Sequence, residues 1–177
     1  DTSKLEWLNG RYLRETMDAG GFLTAVKDWA LNDAYLLPIA EMAQARITKM
    51  SDLGGLTAMF FMNRIDGMTV ERLRDGVKLE QDAQRTAYTL GLQQFDNMIE
   101  WNREGIEATL RRTAEVLDAK LKDVIRPFYI AITGSAQGVP LFDAITHLGR
   151  DIIRERLRHA MELLGPATSK EAKAWTD

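Results

Sequence analysis

The sequence contains no cysteine, only two histidines and four prolines, and no long uninterrupted apolar run. The lack of cysteine excludes thiolate nucleophiles, thiolate metal sites and disulfides, and it fits a reducing compartment. His147 and His159 are 12 positions apart, so they do not form the i, i+4 pair that binds zinc from one helix. No segment reaches the roughly 20 apolar residues of a membrane-spanning helix, and the first residues lack a signal-peptide pattern. We therefore predict a cytoplasmic protein with no metal and no membrane partner.

Motifs for nucleotide binding and for hydrolysis are also missing. The chain has no GxxxxGK[ST] loop, no GxGxxG and no GxSxG. Acidic residues are plentiful, but no pair stands in an apolar stretch of the kind that raises the pKa of a catalytic acid. The sequence therefore predicts no catalytic residue and no cofactor site in this chain.

Charge is distributed unevenly along the sequence, although the net charge is only −3. Residues 1–102 hold 11 basic and 15 acidic side chains, whereas residues 103–158 hold 10 basic and 8 acidic ones. A net negative chain is not expected to coat nucleic acid without discrimination. The basic excess late in the chain is compatible with a local contact to phosphates, or with an ordinary solvated helix face.

Glycine and proline divide the sequence into segments with helical spacing, and almost nothing alternates as a strand does. The pattern predicts an all-α protein without significant sheet. Asn32-Asp33 has the composition of a helix start, and the apolar stretch LGGLTAMFFM at 53–62 predicts a buried helix. Because the charge sign and the helix pattern change near residue 102, we predict two packed helical subdomains, 1–102 and 103–165, followed by a polar tail, 166–177.

The segment TGSAQGVPLF at 133–142 is the candidate site that is hardest to dismiss. It places two glycines and two hydroxyls before a helix N-terminus, where free N–H groups suit phosphate oxygens or the acceptors of a base. The alternative is an ordinary connection between two helices with its caps.

Three segments in order resemble bacterial-type glutamyl-tRNA synthetases, also called glutamate-tRNA ligases. Residues 131–165, AITGSAQGVPLFDAITHLGRDIIRERLRHAMELLG, resemble the closing motif of that family. KLEWLNGRYLRE at 4–15 is similar to the segment that follows its catalytic domain, and IEWNREGIEATLRRTAE at 99–115 is similar to one of its later helices. The resemblance implies a helical C-terminal region of two α-helix cages, the last of which binds the anticodon loop of tRNA.

The resemblance also implies which residues contact RNA. In this family the loop that matches residues 133–141 packs against anticodon bases, and the positions carried over are Thr133, Ser135, Gln137, Gly138 and Leu141. An arginine commonly precedes the Thr-Gly pair, but the aligned position here is a tyrosine.

That tyrosine, Tyr129, can stack on an unstacked base, and Arg126, one turn earlier, can supply the positive charge. Arg46, in the segment that matches R-x-x-x-x-S-D-L, is the candidate for the third anticodon base, with an ordinary surface arginine as the alternative. The remaining candidates are late arginines expected to contact phosphates: Arg103, Arg111, Arg112, Arg150 and Arg154.

The function implied is anticodon recognition by the non-catalytic part of a glutamate-tRNA ligase. The catalytic domain and its ATP site would lie before residue 1, so this chain alone is expected to be an inactive monomer whose partner is glutamate tRNA, with glutamine tRNA also possible in principle. Two alternatives stay open at this point: a helical protein-interaction module that keeps the fold without binding RNA, and a small self-contained enzyme.

Overall fold

The computed structural model describes residues 2–165, which form helices and loops without any strand. The prediction of an all-α protein is therefore confirmed. The polar tail predicted at 166–177 lies outside the described residues. No helix between residues 2 and 165 has the length and apolar character needed to cross a membrane.

The chain divides into two compact units, one ending at Glu41 and the other starting at Met42. The elements of the first unit follow one another in this order: α1 (Thr2–Arg11), a π-helical turn (Tyr12–Thr16), α2 (Ala19–Trp29) and most of α3 (Asp33–Gln44). Asn32 caps α3 as predicted, because its side-chain oxygen accepts the N–H of Tyr35 at 2.9 Å. No residue of α1 or α2 is buried. Several large apolar side chains on these helices are exposed: Leu5, Trp7, Leu8, Phe22, Leu23 and Trp29.

The second unit is built mainly from five helices that follow a set of short ones. In chain order the elements are a 3₁₀ turn (Met50–Asp52), α4 (Leu53–Thr57), a second 3₁₀ turn (Ala58–Phe61), α5 (Val70–Leu73), α6 (Gln81–Asn97), α7 (Arg103–Val116), α8 (Leu121–Thr133), α9 (Leu141–Leu148) and α10 (Arg150–Leu163). α6 contacts α7, α8 and α10, and α7 also contacts α8 and α9. The boundary predicted between residues 102 and 103 falls inside this unit, between the packed helices α6 and α7. A functional division there stays a prediction.

The core of the second unit lies where α6, α7, α8 and α10 meet. Its side chains include Phe95, Leu110, Phe128 and Leu157, each with at most 1% of its surface exposed, and each such burial contributes about 1.5–3 kcal/mol. α6 and α8 approach most closely at Gly91, where an added Cβ would lie 2.6 Å from Cζ of Phe128. This packing fixes the position of α8, and the candidate loop starts at the end of α8.

The segment 53–62 is not the single buried helix that its apolar composition predicts. It forms α4 and then a 3₁₀ turn, and only Thr57, Met59 and Phe60 are buried. The adjacent Gly54 and Gly55 each cost about 1 kcal/mol of helix propensity relative to alanine, which disfavours a long helix. A short helix also leaves carbonyl groups without helical partners inside the segment, and those of Met59 and Met62 accept hydrogen bonds from a distant arginine.

Candidate nucleic-acid interface

The loop after α8 is held in shape by its own backbone and hydroxyl groups. Gly134 ends α8 in the left-handed conformation (φ 77°), and its N–H donates to the carbonyl of Ile130 at 2.8 Å. A Cβ at Gly134 would lie 2.6 Å from Cγ2 of Ile65, so the position requires glycine. Thr133 Oγ1 donates to Tyr129 O at 2.8 Å, and Ser135 Oγ accepts the N–H of Gln137 at 3.3 Å. These bonds leave Ser135 and Gln137 exposed.

A cavity of about 240 Å³ lies between this loop and the segment 55–66. We call it the loop cavity. One wall is formed by predicted residues together with Val139: Thr133, Ser135, Gln137, Gly138 and Val139. The opposite wall comes from the earlier segment: Gly55, Leu56, Ala58, Met59, Met62, Ile65 and Asp66, with Arg72 beside them. The cavity therefore combines apolar side chains with a few polar groups at its rim, as ligand sites commonly do.

At Gly138 the loop wall comes close to Leu56 of the opposite wall. An added Cβ would stand 3.4 Å from Cδ1 of Leu56 and 3.5 Å from the hydroxyl oxygen of Tyr129, and the φ of 152° also disfavours a side chain. The Tyr129 hydroxyl donates to the carbonyl of Val139. Burial raises the pKa of Tyr129, while the positive charge of Arg46 lowers it, so the hydroxyl keeps its proton at neutral pH. Tyr129 thus closes the loop by a hydrogen bond, and its role as a stacking platform stays a prediction.

Arg46 is exposed. It lies close enough to Tyr129 for its positive charge to lower the pKa of the Tyr129 hydroxyl. The structure therefore brings this predicted residue to the same end of the molecule as the loop. Among residues 2–165 no salt bridge of Arg46 is found, and its contact with RNA stays a prediction.

Two predicted residues make contacts within the protein. Leu141 is only 6% exposed, and it packs in the core at the start of α9 rather than at the surface. Arg126 donates from Nε to the carbonyl of Asp75 at 2.9 Å, and its Nη2 lies 3.6 Å from the Asp75 carboxylate. In this arrangement Leu141 positions the helix that follows the loop, and Arg126 holds the turn at Asp75.

Most of the late arginines predicted to contact phosphates are engaged in intramolecular contacts. Arg103 pairs with Asp143 at 3.0 Å, and Arg111 pairs with Glu107 at 2.6 Å. Arg154 forms salt bridges with Asp96 at 2.6 Å and Asp151 at 2.9 Å, and Arg150 donates to the carbonyl of Met98 with its guanidinium 5.6 Å above the Trp101 ring. Arg112 is exposed, and no salt bridge of it is found within residues 2–165. Phosphate binding by this group stays a prediction.

Two arginines that hold the loop cavity together were missed by the sequence analysis. Arg156 is 2% exposed and donates to the carbonyls of Ile132, Met59, Met62 and Asn63. Arg72 donates to the carbonyl of Gly134 and to that of Asp66.

A signal for Arg156 was present in the sequence. It lies between Ile153 and Leu157 on the inner face of α10, at the i+3 spacing that marks a buried position. For Arg72 the sequence offered only the short helix on which it lies.

His147 packs against Phe60 and provides a pH-dependent prediction. Its ring meets the ring of Phe60 edge-on, with centroids 5.5 Å apart. Burial lowers the pKa of His147 from its ordinary value of 6.5. The stability that depends on neutral His147 is thus complete above pH 6.5 and is lost as the pH falls below it, because the unfolded chain then binds a proton that the native chain resists. Thermal unfolding between pH 7 and 5 should show a larger decrease in Tm for the parent chain than for His147→Gln, and equal decreases would contradict this prediction.

Comparison with known proteins gives a family and a set of relatives. The family described as anticodon binding domain matches residues 21–161. The chain is 37% identical over 175 residues to a glutamate-tRNA ligase of Ectopseudomonas mendocina, covering 99% of this chain and 35% of that protein. It is 38% identical over 176 residues to a glutamate-tRNA ligase of Pseudomonas aeruginosa, with the same two coverages. A crystal structure of a glutamate tRNA ligase from Elizabethkingia meningosepticum matches the fold with a TM-score of 0.66 at 19% identity, over 93% of this chain and 33% of that one. The chain thus spans about a third of the length of these relatives.

Proposed function

Since the chain belongs to the anticodon binding domain family, we propose that it binds the anticodon loop of glutamate tRNA through the loop cavity. Its sequence is homologous to the C-terminal region of glutamate-tRNA ligases, so the resemblance described from its motifs is confirmed. The observation that carries the proposal is the loop cavity itself, whose lining includes the exposed Ser135 and Gln137. The charge of Arg46 acts on Tyr129, whose hydroxyl closes the same loop.

The size and lining of the loop cavity fit an unstacked base. Its volume of about 240 Å³ is below the roughly 300–1,000 Å³ of sites for drug-sized molecules. Leu56 and Met59 offer apolar contact to the face of a base, and Ser135 and Gln137 offer a hydroxyl and an amide to its edge. Recognition of single-stranded RNA commonly combines these two contacts. Arg46 then contacts a phosphate or a base edge at the rim.

The full-length protein would attach glutamate to this tRNA with ATP, in the cytoplasm. The chain covers only 35% of the ligases that it resembles, and its sequence contains no phosphate-binding loop. ATP and glutamate would therefore bind to the part of the protein outside this chain. We expect the chain by itself to be a monomer that binds tRNA and aminoacylates nothing.

A second candidate function is a protein-interaction module. It is favoured by the exposed apolar side chains of α1 and α2, such as Trp7 and Trp29, because exposed apolar patches commonly mark protein contacts. This candidate predicts a folded helical chain that does not bind tRNA at any salt concentration.

Filter binding of the chain to glutamate tRNA at two salt concentrations separates the two candidates. Because most of the late arginines are already paired with carboxylates, few phosphates should be neutralised. We expect the affinity to fall by roughly tenfold between 50 and 200 mM salt, the loss typical of two or three phosphate contacts. A tRNA with all three anticodon bases replaced serves as the control and should bind more weakly at both concentrations. Absence of binding at 50 mM salt by a chain with a helical spectrum would contradict the proposal.

A further inference from the structure

We propose that Arg72 is a positioning residue that keeps the two walls of the loop cavity at a fixed separation, and that this separation sets how strictly the anticodon is selected. The inference rests on the proposed function, because it concerns the same cavity and the same RNA. Arg72 was not among the residues that the sequence suggested for RNA contact.

The guanidinium of Arg72 joins both walls of the loop cavity. Nε and Nη2 donate to the carbonyl of Gly134 at 2.9 and 2.5 Å, on the loop side. Nη1 donates to the carbonyl of Asp66 at 3.2 Å, on the opposite side. Hydrogen bonds from a charged donor are roughly twice as strong as neutral ones. The planar fork also fixes the direction of each bond, so one side chain sets the distance between two segments of the chain.

The segments held by Arg72 are turns that depend on glycine. Gly134 has a φ of 77°, and the residue after Asp66 is Gly67 with a φ of 63°. Such turns have more conformational freedom in the absence of external contacts than helices do. Ser135 directly follows Gly134, so a movement of that turn moves the exposed side chains that face the RNA.

The backbone of Arg72 is itself fixed. Thr69 caps α5, its hydroxyl oxygen accepting the N–H of Arg72 at 3.3 Å, and the neighbouring Leu73 is completely buried. The carbonyl of Gly134 can be reached because glycine has no side chain: an added Cβ would stand 3.2 Å from Nη2 of Arg72. The hydrogen bonds between Arg72 and the carbonyl of Gly134 therefore need both the arginine and the glycine.

Arg72 and Arg156 both hold the two walls of the loop cavity together, but they do so at different depths. Arg156 bonds the carbonyls of Ile132 and Met59 from inside the core, whereas Arg72 is exposed at the rim. Loss of Arg72 should leave the fold in place and loosen only the rim. A rim that moves can offer hydrogen-bond partners to an incorrect base, whereas a fixed rim cannot. Selectivity for the anticodon base should therefore fall more than the stability of the fold.

The test compares three variants of the whole chain: Arg72→Gln, which removes the charge, Arg72→Lys, which keeps the charge without the fork, and Arg158→Gln, a control for loss of one charge at an exposed arginine. Dissociation constants are measured for glutamate tRNA and for copies in which one anticodon base is replaced. Both Arg72 variants should lower the ratio of mismatched to matched dissociation constants by about tenfold or more at the base that enters the loop cavity. Arg158→Gln should leave this ratio unchanged.

Amide hydrogen exchange without RNA provides a second readout. Exchange at Ser135 and Gln137 should be faster in both Arg72 variants and unchanged in Arg158→Gln, with similar unfolding temperatures for all chains. Full selectivity in Arg72→Lys, or unchanged exchange in both Arg72 variants, would overturn the proposal. If the parent chain does not bind glutamate tRNA at all, the proposed function fails, whereas the exchange data still decide whether Arg72 holds the walls.

Discussion

A leucine in place of Gly55 is expected to lower the affinity of the chain for glutamate tRNA by about tenfold or more, since one base–protein contact of this kind is worth about 1–3 kcal/mol. Gly55 lines the loop cavity, and an added Cβ would meet no atom within 4 Å. The Cβ of the leucine therefore meets no protein atom, and we expect the rest of its side chain to occupy the space proposed for the base. Leucine is also a better helix former than glycine by up to about 1 kcal/mol, so the fold should not suffer.

Gly54 offers a matched control for this experiment. It is the neighbouring residue of α4, and an added Cβ there also meets nothing within 4 Å, but Gly54 does not line the loop cavity. We expect Gly54→Leu to bind glutamate tRNA with nearly the parent affinity in a fluorescence anisotropy titration. Both variants should keep the parent's circular dichroism spectrum. Equal affinities for the Gly54→Leu and Gly55→Leu chains would show that no base enters this cavity.

Replacement of Arg156 by methionine should greatly reduce the stability of the second unit. The side chain is 2% exposed and donates to the carbonyls of Asn63, Ile132, Met59 and Met62. The bonds to Ile132 and Met59 are buried, whereas those to Asn63 and Met62 are partly buried. Each buried acceptor left without a donor costs about 1 kcal/mol or more, so the free energy of unfolding should fall by at least about 2 kcal/mol. For a chain of this size that corresponds to a decrease in Tm of about 5 °C or more.

Arg64→Met is the control for the Arg156 substitution, because Arg64 also contacts α10 but does so at the surface. Arg64 pairs with Glu155 at 2.5 Å, and half of its side chain is exposed. Exposed ion pairs contribute little to stability, so this variant should unfold at nearly the parent temperature. Urea denaturation followed by circular dichroism measures both variants. A similar stability of Arg156→Met and the parent would mean that the four carbonyls have other partners.

The helices could be predicted from the sequence because their signals are local. Helical spacing predicts an all-α chain, and Asn32-Asp33 predicts a helix start because the Asn32 side chain can bond to an N–H three residues later. The loop before α9 was identified as a candidate site from its glycines and hydroxyls together with the family motif. Each of these inferences depends on residues that are close together in the chain.

The second wall of the loop cavity could not be predicted, because it depends on contacts between distant parts of the chain. Arg72 and Gly134 are 62 positions apart, and no sequence pattern near either residue predicts the contact between them. The ion pair between Arg103 and Asp143, 40 positions away, could not be predicted either. Some arginines that the sequence assigns to RNA therefore form bonds within the protein. The motif assigns Leu141 to RNA, and its burial in the core could not be predicted from the motif alone; its contact with RNA stays a prediction.

The hydrogen bonds that Arg156 donates to carbonyl groups also determine when the binding site forms during synthesis. The guanidinium joins residues up to 97 positions apart, and contacts between such distant residues form late because the loop between them must close first. A growing chain emerges from its amino end, so both walls are made before the arginine that joins them. We therefore expect a nascent chain that stops short of α10 to be helical yet unable to recognise RNA.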